Sequence, residues 1–337
     1  MIIEASAPAR IDLAGGTLDI YPLYLFEEGG LTVNAAVTVG STVRVETRTD
    51  SRVVLIGADN GSRQEAADLA SLELGGPLDL VARVVRFYAP PCGVTVTTRT
   101  AAPQGSGLGS SSSLLISLSG ALRHLTRRVV DDMAMVQYGA ALEAQNIRVP
   151  TGKQDYYAAL FGGLNAIWFE VEGDRVERLC VADECLSEFE QRLVLSFTGE
   201  SRFSGASNWN MLRRYVDGES DTQEALRRIK QTSLAMRQAL LAGDFPQLAA
   251  VLDEEWQNRK SLAEGVTTPQ IERLMAATKE AGAQASKICG AGGGGCMITL
   301  CPPVVRPQVV AALEANDATC LPYRVDRHGL MVNERAT

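Results

Sequence analysis

Histidine is nearly absent from this chain, which contains only His124 and His328. A histidine-based zinc site or a Ser-His-Asp triad therefore has little to be built from, and both are disfavoured. The seven cysteines are an odd number without a C-x-x-C pair, which is typical of reduced thiols. We interpret most of them as small core residues. They are Cys92, Cys180, Cys185, Cys289, Cys296, Cys301 and Cys320.

The chain also lacks an excess of basic residues and any long apolar run. Forty acidic residues against 32 basic ones give a net charge of -8, which provides no electrostatic footprint for nucleic acid or anionic lipid. The opening MIIEASAPAR has no signal-peptide pattern, and no stretch reaches the roughly 18 apolar residues of a spanning helix. We therefore expect a cytoplasmic monomer or homodimer without nucleic-acid or membrane partners.

The composition is that of a globular protein, with 46% apolar and 21% charged residues in a length of 337. At about 100 to 200 residues per domain, this length favours two domains. The acidic, polar segment 183–191 suggests a boundary, and we predict domains at 1–188 and 189–337. One large domain is the alternative.

Segments with strand-like alternation are mixed with segments of helical periodicity, which predicts the α+β class. The predicted strands are a strand pair within 31–45, and single strands at 53–56, 94–98, 296–300 and near Tyr323. We predict five helices. The first follows Gly76-Pro77 and has the apolar face Val81, Val84, Val85 and Tyr88, and the second begins in or just after the serine run at 110–113. The third runs from Asp131-Asp132 towards Asn146, and the last two cover 222–242 and 309–315.

Residues 103–113 read PQGSGLGSSSS and lead into the apolar positions of a helix. Glycines let the backbone approach an anion, and the free amides and dipole of a helix N-terminus attract negative charge. The hydroxyls of Ser110 and Ser111 suit phosphate oxygens or a magnesium ion. No Gly-Lys-Ser/Thr follows, so the segment is not a Walker A loop. The alternative is a flexible connector that ends in a serine cap.

Residues 287–298 read KICGAGGGGCMI, with five glycines in six positions. Gly290, Gly292 and Gly295 fit G-x-G-x-x-G, but a strand-like segment follows them near the end of the chain, which argues against a dinucleotide fold. This glycine density predicts a site where the backbone meets a ligand or another backbone. A tight hairpin is the alternative.

Residues 149–163 read VPTGKQDYYAALFGG and place polar side chains beside the apolar run 156–161, which we predict to be buried. A carboxylate such as Asp155 at the mouth of an apolar segment must be paired or used chemically. The alternatives are a capping or salt-bridged Asp155, and a solvated Glu143 on the preceding helix.

These three segments, together with APARIDLAGGTLD at 7–19, resemble the GHMP kinase superfamily of galactokinases, homoserine kinases, mevalonate kinases and phosphomevalonate kinases. The motifs occur in the family's order and span the whole chain. GKQDYYAALFGGLN and LAGGTLD are most similar to the sugar 1-kinases, notably the D-glycero-D-manno-heptose 7-phosphate kinases. The stretch FTGESRFSGASN at 197–208 is similar to their Thr-Gly-x-x-Arg-x-Ser segment.

The resemblance implies an N-terminal domain like domain 2 of ribosomal protein S5 and a ferredoxin-like C-terminal domain. It implies transfer of the γ-phosphoryl group from ATP, with Mg²⁺, to the anomeric hydroxyl of a sugar or sugar 7-phosphate. The ATP contacts it implies are Pro103, Gly105, Ser106, Gly107, Leu108, Gly109, Ser110 and Ser111.

The resemblance also implies roles for individual side chains. Ser111 and Glu143 would ligate magnesium, and Asp155 would face the acceptor hydroxyl. Arg10 would hold Asp155 ionised and stabilise the moving phosphoryl group. The implied acceptor contacts are Asp19, Gly16, Thr17, Thr151, Gly152, Arg202, Gly292 and Gly293.

Two departures from the family patterns bear on the acceptor. Galactokinases carry Gly-Glu-His before the aspartate of the first motif, whereas this chain has Gly16-Thr17-Leu18 before Asp19, which argues against galactose. Tyr156 stands where the heptose kinases usually have Gln. A mevalonate-branch or other GHMP kinase and a catalytically inactive sugar-binding regulator are the alternative functions.

Overall fold

The computed structural model describes residues 1–201 and 204–335. Over these ranges the chain forms two β-sheets with helices packed on them, which confirms the predicted α+β class. The strands are β1 (Ile2–Ala14), β2 (Gly30–Thr47), β3 (Val53–Gly57), β4 (Ser62–Ala66), β5 (Val94–Thr100), β6 (Leu164–Glu170), β7 (Gly173–Arg178), β8 (Leu193–Phe197), β9 (Ala285–Ile288), β10 (Cys296–Leu300), β11 (Thr319–Cys320) and β12 (Met331–Arg335).

The helices lie mainly between strands of the two sheets. They are α1 (Leu23–Phe26), α2 (Asp79–Tyr88), α3 (Ser110–Thr126), α4 (Asp132–Ile147), α5 (Gln154–Phe161), α6 (Asp183–Arg192), α7 (Ser204–Val216), α8 (Ser220–Ala242), α9 (Phe245–Lys260), α10 (Pro269–Glu280) and α11 (Arg306–Glu314), with a 3₁₀ turn at Pro303–Val305. Across the described ranges, no helix has the length and apolarity required to traverse a lipid bilayer.

The larger sheet is built around β2, which spans 18 residues and pairs with β1 along most of its length. On its other edge, β6 pairs with the first part of β2 and β5 with the last part. The path through the sheet is β12-β1-β2-β5-β3-β4, and β7 extends the branch formed by β6. Strands β3 and β5 run parallel, whereas the other pairs of this sheet are antiparallel.

The smaller sheet has the antiparallel order β11-β8-β10-β9. Numbered within this sheet, the order is 4-1-3-2 with helices after the first and third strands, which is the βαββαβ arrangement of a ferredoxin-like domain. The division into 1–188 and 189–337 stays a prediction. The smaller sheet lies entirely after residue 188, but that position falls within α6, and β12 returns to the larger sheet.

Two strand predictions were wrong. The expected strand pair within 31–45 is a single strand, because the chain does not turn at Gly40. Instead, Gly40 lets β1 come close to β2: a Cβ at Gly40 would lie 2.1 Å from the carbonyl oxygen of Ala7. This approach coincides with a register shift between Ala7 and Ala9. The segment around Tyr323 makes only the isolated bridge from Val325 to Val37, so the last regular strands fall at β11 and β12.

Most helix predictions are confirmed, and the reasons are local. The apolar face of α2 is buried as its spacing predicts, and the Pro90-Pro91 pair follows its end. Asp131 caps α4 by accepting a hydrogen bond from the amide of Ala134 at 2.7 Å. Helix α3 begins at Ser110 inside the serine run, and its N-cap residue is Gly109.

One apolar core lies between the two sheets and positions the loops that follow β1, β5 and β9. Ile11 and Leu13 of β1 belong to the same buried cluster as Leu193 of β8 and Ile298 of β10. Helices α8 and α9 contribute Leu240 and other apolar side chains to that cluster. Because the sheets share a core, the loops at the ends of β1, β5 and β9 converge on one region.

Candidate active site

The loop between β5 and α3, which we predict to bind phosphate and call the phosphate loop, turns at glycine residues. Gly107 and Gly109 have φ angles of +70° and +72°, a region that glycine adopts without steric cost. As the N-cap of α3, Gly109 has no side chain to bond the first amides of the helix, which leaves them available to an anion. The predicted ATP contacts from Pro103 to Gly109 lie in this loop, and Ser110 and Ser111 form the first turn of α3.

The third glycine motif, between β9 and β10, packs directly against the phosphate loop. The amide of Cys296 donates to the carbonyl oxygen of Ser106 at 2.7 Å. A Cβ at Gly107 would lie 2.5 Å from the carbonyl oxygen of Cys289, so only glycine fits there. The high glycine content of both motifs therefore allows two backbones to meet, as predicted for the third motif.

Gly292 and Gly293 of this motif lie on its other side. The amide of Gly293 donates to the carbonyl oxygen of Val266 at 2.6 Å, and a Cβ at Gly292 would lie 2.7 Å from the same residue. Both glycines are buried. Their role as acceptor contacts stays a prediction, as does that of Arg202, which lies outside the described residues.

An ion pair between β1 and α5 lies beside the phosphate loop. Arg10 Nε donates to Asp155 Oδ1 at 2.7 Å, and a second guanidinium nitrogen of Arg10 donates to the carbonyl oxygen of Gly107. The Asp155 carboxylate lies against the backbone of Gly109, where a Cβ would come within 2.7 Å of it. The Asp155 side chain keeps 19% of its surface exposed, so a ligand can reach the carboxylate.

Burial changes the pKa of Asp155 more strongly than the charge of Arg10 does. Burial raises the pKa of Asp155 to about 6, although Arg10 lowers it, and the charge of Glu143 raises it further. A pKa of about 6 leaves the carboxylate mostly ionised at neutral pH. For Arg10, burial lowers the pKa, but Asp155 and Asp12 outweigh that effect and raise it above its usual value.

Asp19 joins the first motif to the segment before α5. Its Oδ1 accepts from the amide of Thr17 and its Oδ2 from the amide of Gln154, both at 3.1 Å. A Cβ at Gly152 would lie 2.1 Å from Oδ2, which explains the glycine. Burial, followed by the charge of Asp155, raises the pKa of Asp19 to about 6. The structure thus brings together Asp19, Thr17, Gly152 and Asp155, and Gly16 and Thr151 are chain neighbours of this group.

Glu143 of α4 points towards the first turn of α3. Its Oε1 accepts from the hydroxyl of Ser111, and its Oε2 accepts from Ser112 at 3.2 Å and from the hydroxyl of Tyr156. Glu143 is 5% exposed, so the alternative of a solvated helix residue is wrong. A buried carboxylate next to a hydroxyl at the phosphate loop fits a magnesium ion, which takes oxygen ligands from one or two carboxylates and from substrate phosphates.

Sequence reasoning missed a buried ionic network that links β1, α9 and β9. Lys287 Nζ donates to Asp12 Oδ2 at 3.0 Å, and Arg259 Nη2 donates to Glu255 Oε1 at 3.1 Å. Arg259 also bonds the carbonyl oxygens of Gly16, at 2.8 Å, and Gly290, at 3.3 Å. These four charged side chains are at most 1% exposed. The network therefore ties the first motif to the third.

The sequence contains a signal for three of these four residues, Asp12, Glu255 and Arg259. Asp12 lies two residues after Arg10, so on a strand both side chains point to the same face. Glu255 and Arg259 are four residues apart on one helix, a spacing that allows an ion pair. Burial of both pairs is the part that neither spacing predicts.

Two protein-family models match this chain. The model for the GHMP kinases N terminal domain matches residues 78–163, which contain the phosphate loop, Glu143 and Asp155. The model for GHMP kinases C terminal matches residues 236–318, which contain the third glycine motif.

Individual relatives cover nearly the whole chain. A D-glycero-alpha-D-manno-heptose 7-phosphate kinase of Campylobacter jejuni is 28% identical over 334 residues, which cover 97% of this chain and 98% of the relative. A mevalonate kinase of Methanothermobacter thermautotrophicus is 28% identical over 320 residues, which cover 93% of this chain and 94% of the relative. The crystal structure of a D-glycero-D-manno-heptose 1-phosphate kinase from Bacteroides thetaiotaomicron has a TM-score of 0.80 and 26% identity, and it covers 100% of both chains.

Proposed function

Because this chain belongs to the GHMP kinase family and is therefore a phosphotransferase, we propose that it transfers the γ-phosphoryl group of ATP to the anomeric hydroxyl of a sugar or sugar 7-phosphate of heptose-like or greater size. The observation that carries the proposal is the Arg10–Asp155 pair at 2.7 Å beside the uncapped N-terminus of α3. In this proposal Asp155 is the base and Arg10 the cation, and both act beside the loop that holds the triphosphate. The heptose kinases among the relatives support the sugar as acceptor.

The protein's main task in this reaction is to align the acceptor and to stabilise charge. The amides of the phosphate loop and of the first turn of α3 hold the triphosphate. The acceptor oxygen forms a bond to the γ-phosphorus as the bond to the β–γ bridging oxygen breaks, and ADP leaves with that electron pair. Asp155 accepts the hydroxyl proton. Because an anomeric hydroxyl is more acidic than an ordinary alcohol, a carboxylate base is sufficient.

Arg10 and Asp19 complete the acceptor side in this proposal. Arg10 orients Asp155 and stabilises the negative charge on the transferring group. Asp19 accepts hydrogen bonds from sugar hydroxyls, with Gly16, Thr17, Thr151 and Gly152 as its neighbours. If the acceptor already carries a phosphate, Arg202 is our candidate to bind it, because a guanidinium can hold phosphate through two hydrogen bonds.

Ser111 and Glu143 are the residues that would hold magnesium. When bound, the ion neutralises charge on the β- and γ-phosphates. Glu143 supplies the only formal charge of this pair, and the phosphates supply further ligands. The neighbouring Ser112 and Tyr156 keep the carboxylate in place.

The test is an ADP-release assay with Mg-ATP over a panel of free sugars, 7-phosphorylated heptoses, longer sugars and mevalonate, with NMR of the product. We expect a sugar 1-phosphate from one acceptor class, and loss of turnover in the Asp155→Asn variant. Arg202→Ala should raise the KM of a phosphorylated acceptor more than that of its unphosphorylated parent.

Two outcomes would replace the proposal. Turnover of mevalonate alone would favour the mevalonate branch, for which the Methanothermobacter relative is the specific observation. Sugar binding by calorimetry without ADP release from any acceptor would favour a regulator that binds sugar and has lost catalysis.

A further inference from the structure

The carboxylate of Glu143 is held unequally at its two oxygens. Oε2 accepts two hydrogen bonds, from Ser112 and from the hydroxyl of Tyr156, whereas Oε1 accepts one, from Ser111. Ser111 is exposed at the phosphate loop, while Ser112 and Tyr156 are buried. The contacts to Oε2 therefore come from the protein interior, and Oε1 faces the loop.

Tyr156 is fixed in place by the packing of its ring. It is fully buried on α5, directly after Asp155. On α4, a Cβ at Gly139 would lie 3.2 Å from Cε1 of the tyrosine ring, so the absence of a side chain at Gly139 makes room for it. Glu143 lies one helical turn after Gly139. The ring and the carboxylate it bonds are thus held by the same face of α4.

Within residues 1–201 and 204–335 as described, no basic side chain forms an ion pair with Glu143. In the part of the chain that the structure describes, its hydrogen-bond partners are three neutral hydroxyls. The adjacent residue Tyr157 provides a contrast, since its hydroxyl donates to Asp174 at 2.7 Å, and that carboxylate is also bound by Lys153. Hydroxyls orient a carboxylate but do not neutralise it, so the Glu143 environment suits a cation and the Asp174 environment already contains one.

We propose that Tyr156 is a positioning residue for magnesium, which holds Oε2 of Glu143 and thereby presents Oε1, beside the Ser111 hydroxyl, to the ion. The inference rests on the proposed function, in which Ser111 and Glu143 are the magnesium ligands. Hydrogen bonds to a ligating carboxylate fix its orientation, and their loss typically weakens metal binding by about ten- to a hundredfold.

The experiment compares the Tyr156→Phe variant with Tyr157→Phe as a matched control. Both changes remove one hydroxyl from a buried tyrosine of α5 that bonds a carboxylate. Calorimetry gives the Kd of a non-hydrolysable ATP analogue with EDTA and with Mg²⁺, and the ratio of the two values is the magnesium-linked gain in affinity. A second measurement is the Mg²⁺ concentration that gives half-maximal activity.

We expect Tyr156→Phe to lower the magnesium-linked gain by about ten- to a hundredfold and to raise the half-maximal Mg²⁺ concentration by a similar factor. The Kd in EDTA should stay at the wild-type value, because the variant removes only the hydroxyl that bonds Glu143. High Mg²⁺ should restore turnover, which a general loss of structure would not allow. Tyr157→Phe should match the wild type in both measurements. The double variant Tyr156→Phe/Ser112→Ala should show a larger loss, since it leaves Oε2 without either donor.

Three results would overturn the proposal, and they separate it from the proposed function. A wild-type magnesium-linked gain in a folded Tyr156→Phe protein would refute the positioning role alone, provided that Glu143→Gln abolishes the gain. Equal losses in Tyr156→Phe and Tyr157→Phe would show a structural effect of α5. A wild-type protein without any magnesium-linked gain would refute the assignment of Ser111 and Glu143, and the inference with it.

Discussion

The raised pKa of Asp155 predicts that kcat/KM rises with pH through about 6. The carboxylate must be ionised to accept a proton, and burial favours its neutral form. The charged groups around it are Arg10, which stabilises the ionised form, and Glu143 and Asp12, which oppose it. Asp19 is coupled to the same group, since the charge of Asp155 raises the pKa of Asp19.

The size of the effect follows from the pKa. A carboxyl group with a pKa of about 6 is about nine-tenths ionised at pH 7 and about one-tenth ionised at pH 5, so kcat/KM should fall about tenfold between them. If the acceptor also needs an ionised Asp19, both carboxyl groups must lose their protons and the fall steepens towards about a hundredfold. The assay is initial-rate ADP release from pH 5 to 8 at saturating Mg²⁺, with Asp19→Asn to separate the two cases.

The Asp155→Asn variant is the control, because it keeps the shape and removes the charge. Its kcat should fall by at least about a hundredfold, within the range for a general base, and its residual rate should lose the dependence near pH 6. A wild-type profile that is flat between pH 5 and 8, or an identical profile in Asp155→Asn, would refute the role of Asp155. Any pH dependence that comes from ATP itself appears equally in both proteins.

Three further predictions concern charge and backbone around the cleft. Asp19 binds a proton more tightly in the folded state than in the unfolded chain, so its ionisation costs the fold about 2 kcal/mol as the pH rises from 4 to 7. Asp19→Asn should therefore raise the urea midpoint relative to wild type at pH 7 but much less at pH 4. Arg259→Met, which leaves the buried Glu255 without its cation, should lower the free energy of unfolding by about 3 to 5 kcal/mol. The double variant Arg259→Met/Glu255→Gln should lose less in the same titration, and an equal loss would argue against the ionic network. Gly109→Ala, whose Cβ would meet the Asp155 carboxylate, should lower kcat by about a hundredfold, whereas Gly61→Ala, with a similar φ and open space, should leave kcat unchanged.

The parts of the cleft that could be predicted from sequence are those with local causes. The start of α3 in the serine run and the start of α4 after Asp131 follow from helix capping and periodicity, and the structure confirms them, whereas phosphate binding by the loop before α3 stays a prediction. Family membership followed from the order of the motifs, because no single motif was specific. The alternative that Asp155 is a salt-bridged residue is also correct, since Asp155 forms an ion pair with Arg10. Its side chain is nevertheless partly exposed, so the ion pair does not exclude contact with a ligand.

The parts that could not be predicted depend on contacts between distant segments. The burial of Arg259 depends on the packing of α9 against β9 and the first motif. The single strand β2, where we predicted a strand pair, depends in part on the close contact of Gly40 with Ala7, far away in the sequence. The role of Tyr156 likewise depends on the space left by Gly139 on another helix. Such pairings need the three-dimensional fold.

The pairing of β12 with β1 has a consequence for how the protein is made. Strand β1 carries Arg10, and the strand that covers its outer edge, β12, lies far behind it in the chain. Until β12 emerges from the ribosome, that edge of β1 has unpaired amide and carbonyl groups that can pair with another chain. Synthesis of β12 therefore closes the edge of the sheet that carries Arg10, and a chain stalled before β12 leaves that edge open to aggregation.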